Sequence, residues 1–231
     1  MLWRLVKASA IVAGVGLAVA GCAVQPLKLG AAAIVGSQRI SVATLGTQAT
    51  NLSQAAKQYP EVVTLTPAQV TQATLTWLIR YQIQEEVARQ AGIYVSPAQA
   101  QNALNIAVSN AITGAEQQGL TNVTQELILA ASGVPPDTAA ELGRYEAIAD
   151  MYLAMVNGGK TPPAGSSALT AADAKLDAAE CQAAKALNIQ VNPQYGVLDY
   201  AEYQVVSVPS ALTRPPGPTA SASPVATTPA C

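Results

Sequence analysis

The chain contains no histidine and no phenylalanine, and only 11% of its 231 residues are charged. Without histidine there is no Ser-His-Asp or Cys-His nucleophile system and no histidine-based zinc site. A carboxylate acid–base pair, or lysine or tyrosine chemistry, stays formally open, but no spacing points to either. Its 12 cations and 14 acids form no Lys/Arg cluster, which argues against nucleic acid or an anionic membrane surface as the main partner. With so little charge, the hydrophilic surface must come from Gln, Asn, Ser and Thr. Neither a metal nor a cofactor is expected.

What is present begins at the first residue. Arg4 and Lys7 precede an uncharged run from Ala8 to Ala20, which ends in Val19-Ala20-Gly21-Cys22. That is the cationic start, short apolar centre and small-residue cleavage site of an export signal. The apolar run of about 13 residues is too short for a bilayer core that needs roughly 20. A cysteine directly after the small residues resembles a bacterial lipobox, in which the thiol is acylated and becomes the mature N-terminus. An ordinary secretory signal with a chance cysteine is the plainer alternative. On the lipobox reading Cys22 is the membrane anchor, at the extracytoplasmic face of a bacterial cell membrane. Removing residues 1–21 leaves 210, and the cations fall from 12 to 10 against 14 acids, a net charge of −4. That length is enough for one domain with a core and tails.

Of the three cysteines, Cys181 and Cys231 remain as a pair in an oxidising compartment. A bridge between them would close a loop of about 50 residues, worth roughly 4 kcal/mol in the chain-entropy model. A buried thiol at Cys181 explains that residue equally well.

Residues 22–30 read as anchor and tether, 31–208 as a folded domain, and 209–231 as a Pro/Ser/Thr-rich tail. The Gly36-Ser37 pair, flanked by apolar β-branched residues, suggests a hairpin or two strand fragments. Leu45, Ala49, Leu52, Ala56 and Tyr59 then follow helical spacing across 43–59. Thr66-Pro67-Ala68-Gln69 starts a second helix: Thr caps, Pro takes the first helical position, and Gln completes a capping box. It runs to about Ala91, where Gly92 can supply a left-handed stop. Ser96-Pro97-Ala98-Gln99 repeats the start signal for a helix running towards Gly114. Further helices are expected over 121–131, from Pro135 to Val156, and from a Thr170 cap to about Leu187, with 160–167 as a linker. Ile189–Val191 and Tyr203–Val208 are strand candidates. The tail, with prolines from Pro209 to Pro229, is too poor in apolar surface to offset its ordering entropy and is expected to be disordered. The fold class is therefore mainly α, with a small β element built from both ends of the folded region.

The helix from Pro67 to Ala91 is apolar most of the way round, with Val70, Trp77 and Tyr81 in one stripe and Leu75, Ile79, Ile83 and Val87 in another. Such a helix is central to a core or floors a groove. Trp77 and Tyr81 are amphipathic aromatics of the kind that anchor apolar peptides, although plain core packing accounts for both. Glu85 and Arg89 read as a solvated i,i+4 pair. Glu85-Glu86, and Glu141 with Tyr145 and Glu146, are the densest carboxylate neighbourhoods, but neighbours on a helix point about 100° apart and do not converge. Tyr195, Tyr200 and Tyr203 read as packing within the β element.

Two segments carry a family resemblance. Ala33-Ile34-Val35-Gly36-Ser37-Gln38-Arg39-Ile40-Ser41-Val42-Ala43-Thr44-Leu45 has the form of strand, Gly turn, Ile, Ser and helix. Leu187-Asn188-Ile189-Gln190-Val191 is followed by the turn Asn192-Pro193-Gln194-Tyr195-Gly196. Together they resemble the opening and closing segments of SurA-type periplasmic chaperone domains, especially the lipid-anchored versions of high-GC Gram-positive bacteria. Gln194 stands where that family usually has arginine. By motif the resemblance covers roughly 31–60 and 170–203. It implies a helical chaperone module that binds unfolded or extended segments of exported proteins. The family's parvulin isomerase domain needs about 90 residues and active-site histidines; only 158–169 lies at the corresponding place, so the module would lack it. The alternatives are a structural lipoprotein that docks a cell-envelope partner through its Pro-rich tail, and a divergent prolyl isomerase.

Overall fold

The computed structural model describes residues 29–207. The fold is mainly α, with small antiparallel strand elements. In chain order the elements are β1 (Ala31–Val35), β2 (Gln38–Ser41), α1 (Val42–Gln58), α2 (Pro67–Ala91), α3 (Pro97–Gln117), α4 (Gln125–Ala131), a 3₁₀ turn (Pro136–Thr138), α5 (Ala139–Val156), α6 (Ser167–Leu187), β3 (Gln190–Val191), β4 (Val197–Asp199) and β5 (Gln204–Val206). The leader, Cys22 and the tail from 208 onward lie outside the described residues.

The ends of the folded region meet in one sheet of order β2-β1-β3, in which β1 pairs antiparallel with both neighbours. Ala31, Ala32 and Ala33 are all buried, so their small side chains let helices close on the central strand. Gly36 makes the hairpin turn with φ +59, and an added Cβ would meet Leu187 Cδ2 at 2.9 Å. Its N–H donates to the Leu187 carbonyl at 2.7 Å, joining the turn to the end of α6. A second sheet pairs β4 with β5.

Capping chemistry sets most helix starts as expected. Thr66 Oγ1 accepts from Gln69 N while Gln69 Oε1 accepts from Thr66 N, and Ser96 with Gln99 repeats the arrangement. Gly92, at φ +67, closes α2. Three boundaries differ from expectation. Ser166 rather than Thr170 caps α6, because Ser166 Oγ accepts from Leu169 N, while Thr170 Oγ1 donates back to the Ser166 carbonyl inside the helix. Residue 167 therefore belongs to α6 and not to the linker. Thr124 rather than Thr121 starts α4, accepting from Leu127 N. The segment from Pro135 opens as a 3₁₀ turn, and α5 begins only at Ala139. β4 was not expected at all: three residues hold too little periodicity to announce a strand.

Helix α2 is the centre of the molecule and packs against α1, α5, α6, β1 and β5. Leu75, Ile79, Ile83 and Val87 join β1, β2 and α6 in the largest core cluster, Val70 joins α1 and α4, and Tyr81 joins α3 and α5. The apolar character all round the helix follows from this, since each side faces a different neighbour. Tyr195, Tyr200 and Tyr203 pack partly buried on the largest cluster, as the packing reading expected.

Candidate functional site

The site grows from α2 where it meets α5, the end of α4 and β5. Trp77 and Tyr81 are one helical turn apart, with ring centroids 5.8 Å apart, and Tyr145 of α5 sets its ring edge-on to both, at 5.7 Å from Trp77 and 6.3 Å from Tyr81. Such edge-to-face contacts add to the area the rings bury. Tyr81 is only 6% exposed. Thr138 Oγ1 donates to the Pro135 carbonyl at 2.8 Å, so the Tyr81 hydroxyl, 3.0 Å away, donates to Thr138. Burial holds the Tyr81 phenol well above its ordinary range and pushes Tyr145 up to about 12. Tyr81, expected on the binding surface with Trp77, therefore lies beneath it, because α5 and the 3₁₀ turn cover that part of the stripe.

Trp77 is half-buried. Its indole Nε1 donates to the Ser132 carbonyl at 3.2 Å, and the Arg80 guanidinium stands 5.2 Å from its ring centroid in a cation–π contact. The ring lines a groove of about 470 Å³ between α2 and β5, whose walls include Leu65, Gln72, Ala73, Ser132 and Val206. The β5 wall is pinned to the helix from end to end. Val205 N–H donates to Thr76 Oγ1 at 2.9 Å, Gln72 Nε2 to Ser207 Oγ at 2.8 Å, and Arg80 to the carbonyls of Glu202 and Tyr203 at 2.7 and 3.2 Å. The result is an open slot with an aromatic floor and a polar rim, able to cover apolar side chains while directing few polar contacts.

The carboxylates are engaged elsewhere. Arg89 pairs with Glu86, donating from Nε at 2.7 Å, and not with Glu85 as the helical spacing suggested. Glu85 reaches across to α5, where Arg144 binds its carboxylate through Nε and, at 2.9 Å, through Nη2. Arg144 also donates to the Val95 carbonyl at 2.9 Å, so this pair locks α2, α5 and the α2–α3 connection together. Among the described residues no group of three or more His, Cys, Asp or Glu side chains is placed to hold a metal ion. No helix among them is long and apolar enough to cross a membrane. Cys181 on α6 is disulfide-bonded; Cys231, the partner considered from the sequence, lies outside the described residues.

Sequence reasoning missed Arg80, Thr76 and Ser132. Arg80 and Thr76 act through backbone partners, and Ser132 offers its carbonyl to the Trp77 indole, each at least 55 positions away in the chain, a relation no local pattern carries. Compared with known proteins, the chain matches no family model, no curated protein and no solved structure.

Proposed function

We propose that this chain is a lipid-anchored, non-enzymatic chaperone module of the SurA type. It holds extended or unfolded segments of exported proteins at the outer face of a bacterial cell membrane. The observation that carries the reading is the Trp77 groove: a partly buried indole on the central helix, walled by a strand pinned along its length. A weakly charged slot of this kind suits capture of low specificity, in which burial supplies affinity and few polar contacts restrict sequence. The pairing of β1 with β3, which joins the two segments carrying the resemblance, supports the same reading. Cys22 is the proposed acylation site.

The test uses the soluble chain starting at Ala23, mixed with a model protein that aggregates as it unfolds. Suppressed light scattering that is lost in Trp77→Ala supports the groove as the holding surface. Unchanged scattering with either form overturns it. A second reading, a scaffold that docks an envelope partner through residues 209–231, is favoured only by where the tail departs: Ser207 already lines the groove. Deleting 209–231 separates the two, because a groove-binding chaperone keeps its clients and a tail-docking scaffold loses its partner.

A further inference from the structure

Behind Arg80, on the side away from the Trp77 groove, lies a second cavity of about 130 Å³, lined by Arg80, Ile83, Gln84, Tyr145, Glu180 and Tyr203. Gln84 is 0% exposed, and neither its Nε2 nor its Oε1 has a hydrogen-bond partner. Thr76 and Thr138 are answered by Val205 and Tyr81, whereas Thr74 Oγ1 and Gln48 Oε1 also lack a partner; among the described residues Gln84 is the side chain with both a donor and an acceptor left bare. A side-chain amide buried with both ends unanswered is a departure that asks for a cause.

We propose that this cavity is a binding site for a planar amide group, docked against the side-chain amide of Gln84. Gln84 presents a donor and an acceptor side by side in one plane. A guest that answers both must carry an acceptor and a donor on one edge, which is what a primary carboxamide does; a trans secondary amide points its N–H and C=O in opposite directions. A carboxylate would answer Nε2 and meet Arg80 on the same lining, but it would set a second acceptor against Oε1. An ammonium would answer Oε1 and leave Nε2 bare. Tyr145 and Tyr203 supply aromatic walls for a flat guest. The volume is several times the roughly 10–15 Å³ that one water needs, and it suits a group of four or five heavy atoms.

A second, independent observation lies in the lining itself. Tyr203 takes φ +49, a left-handed conformation uncommon for a side chain of its size, and Arg80 holds its carbonyl. Strain of this sort collects at ligand clamps. Burial also pushes the Glu180 carboxyl up to about 7, which weakens its repulsion of an amide oxygen near neutral pH.

The inference rests on the peptide-holding reading only for the source of the amide, which is an Asn or Gln side chain of the held segment. The probes are small free amides, so failure here leaves peptide binding at Trp77 standing. The ¹⁵N-labelled full chain is titrated with acetamide, N-methylacetamide and acetate, following the Gln84 Nε2 resonances and the Tyr203 backbone amide, which stays observable in a Gln84 variant. The expected result is a saturable shift with an amide and none with acetate. Two-point docking predicts a stronger response to acetamide than to N-methylacetamide, and an equal or stronger response to N-methylacetamide overturns it. Gln84→Met, which keeps the shape and removes both polar ends, should weaken binding at least about tenfold, the loss of one net hydrogen bond. The absence of a saturable shift, an equal response to acetate, or unchanged affinity in Gln84→Met overturns the proposal. If that variant does not fold, the comparison of amides with acetate on the unsubstituted chain decides alone.

Discussion

Arg80 donates its Nε to the carbonyl of Tyr203 at 3.2 Å, joining residues 123 positions apart. The same guanidinium holds Glu202 at 2.7 Å and lies over Trp77, so it fixes the β4–β5 turn and the groove floor together. Arg80→Met keeps the stem and removes three contacts. It should cost about 1.5–3 kcal/mol, the range for hydrogen bonds to charged groups, measured by urea unfolding, and should shift Trp77 emission. Arg80→Lys should not restore the lost stability, because an ammonium cannot span two carbonyls and stack on an indole as a planar fork does.

Gly143 marks the closest approach of α3 and α5. A Cβ there would lie 2.4 Å from the Ala100 carbonyl oxygen and 3.0 Å from Leu104 Cβ. Backbone cannot step aside as a side chain can, so Gly143→Ala should lower stability by about 1–3 kcal/mol, despite the better helix propensity of alanine. A neutral or stabilising result would mean that the two helices are not this close.

Glu180 should make stability depend on pH. Burial raises its carboxyl from the ordinary 4.5 to about 7, with Asp177 adding to the rise and Arg80 opposing it; Tyr145 and Tyr203 share its cavity. Between those values the folded chain keeps a proton that the unfolded chain has released. Stability should therefore fall as pH rises from about 4.5 to about 7, by up to about 3 kcal/mol, and then level off. Burial also raises Glu146 and Asp150, in the same sense. Glu180→Gln should flatten most of the slope, as read from melting temperature against pH.

The disulfide at Cys181 should join it to Cys231. Non-reducing peptide mapping should recover that linked pair, and reduction should cost about 4 kcal/mol for a loop of about 50 residues. Recovery of Cys181 linked to Cys22 would remove the thiol that lipid attachment needs.

How much was legible in the sequence divides by range. The Thr66/Gln69 and Ser96/Gln99 boxes, the Gly92 stop and the Gly36 hairpin are local chemistry, and each stands where expected. That both ends of the folded region meet in a β element was legible, but which strand pairs was not: Gln190–Val191 joins β1, while Gln204–Val206 pairs with β4 in a separate sheet. What escaped depends on distant partners. Periodicity placed Trp77 and Tyr81 on one stripe, but only the position of α5 decides that Tyr81 is covered and Trp77 half-open. Glu85 and Arg89 had helical spacing, yet Arg144 draws Glu85 away and leaves Arg89 to Glu86. The sequence points to Thr170 as the cap of the last helix, but Ser166 takes that place, a choice that lies in backbone geometry.

The most direct test of the account is Trp77 emission in the chain starting at Ala23, where Trp3 is gone and this indole is the sole tryptophan. Titration with unstructured peptides should give a saturable spectral shift at micromolar concentrations, unaffected by deletion of residues 209–231. An emission spectrum that no peptide moves would contradict the groove as a holding site and leave Trp77 as part of the core.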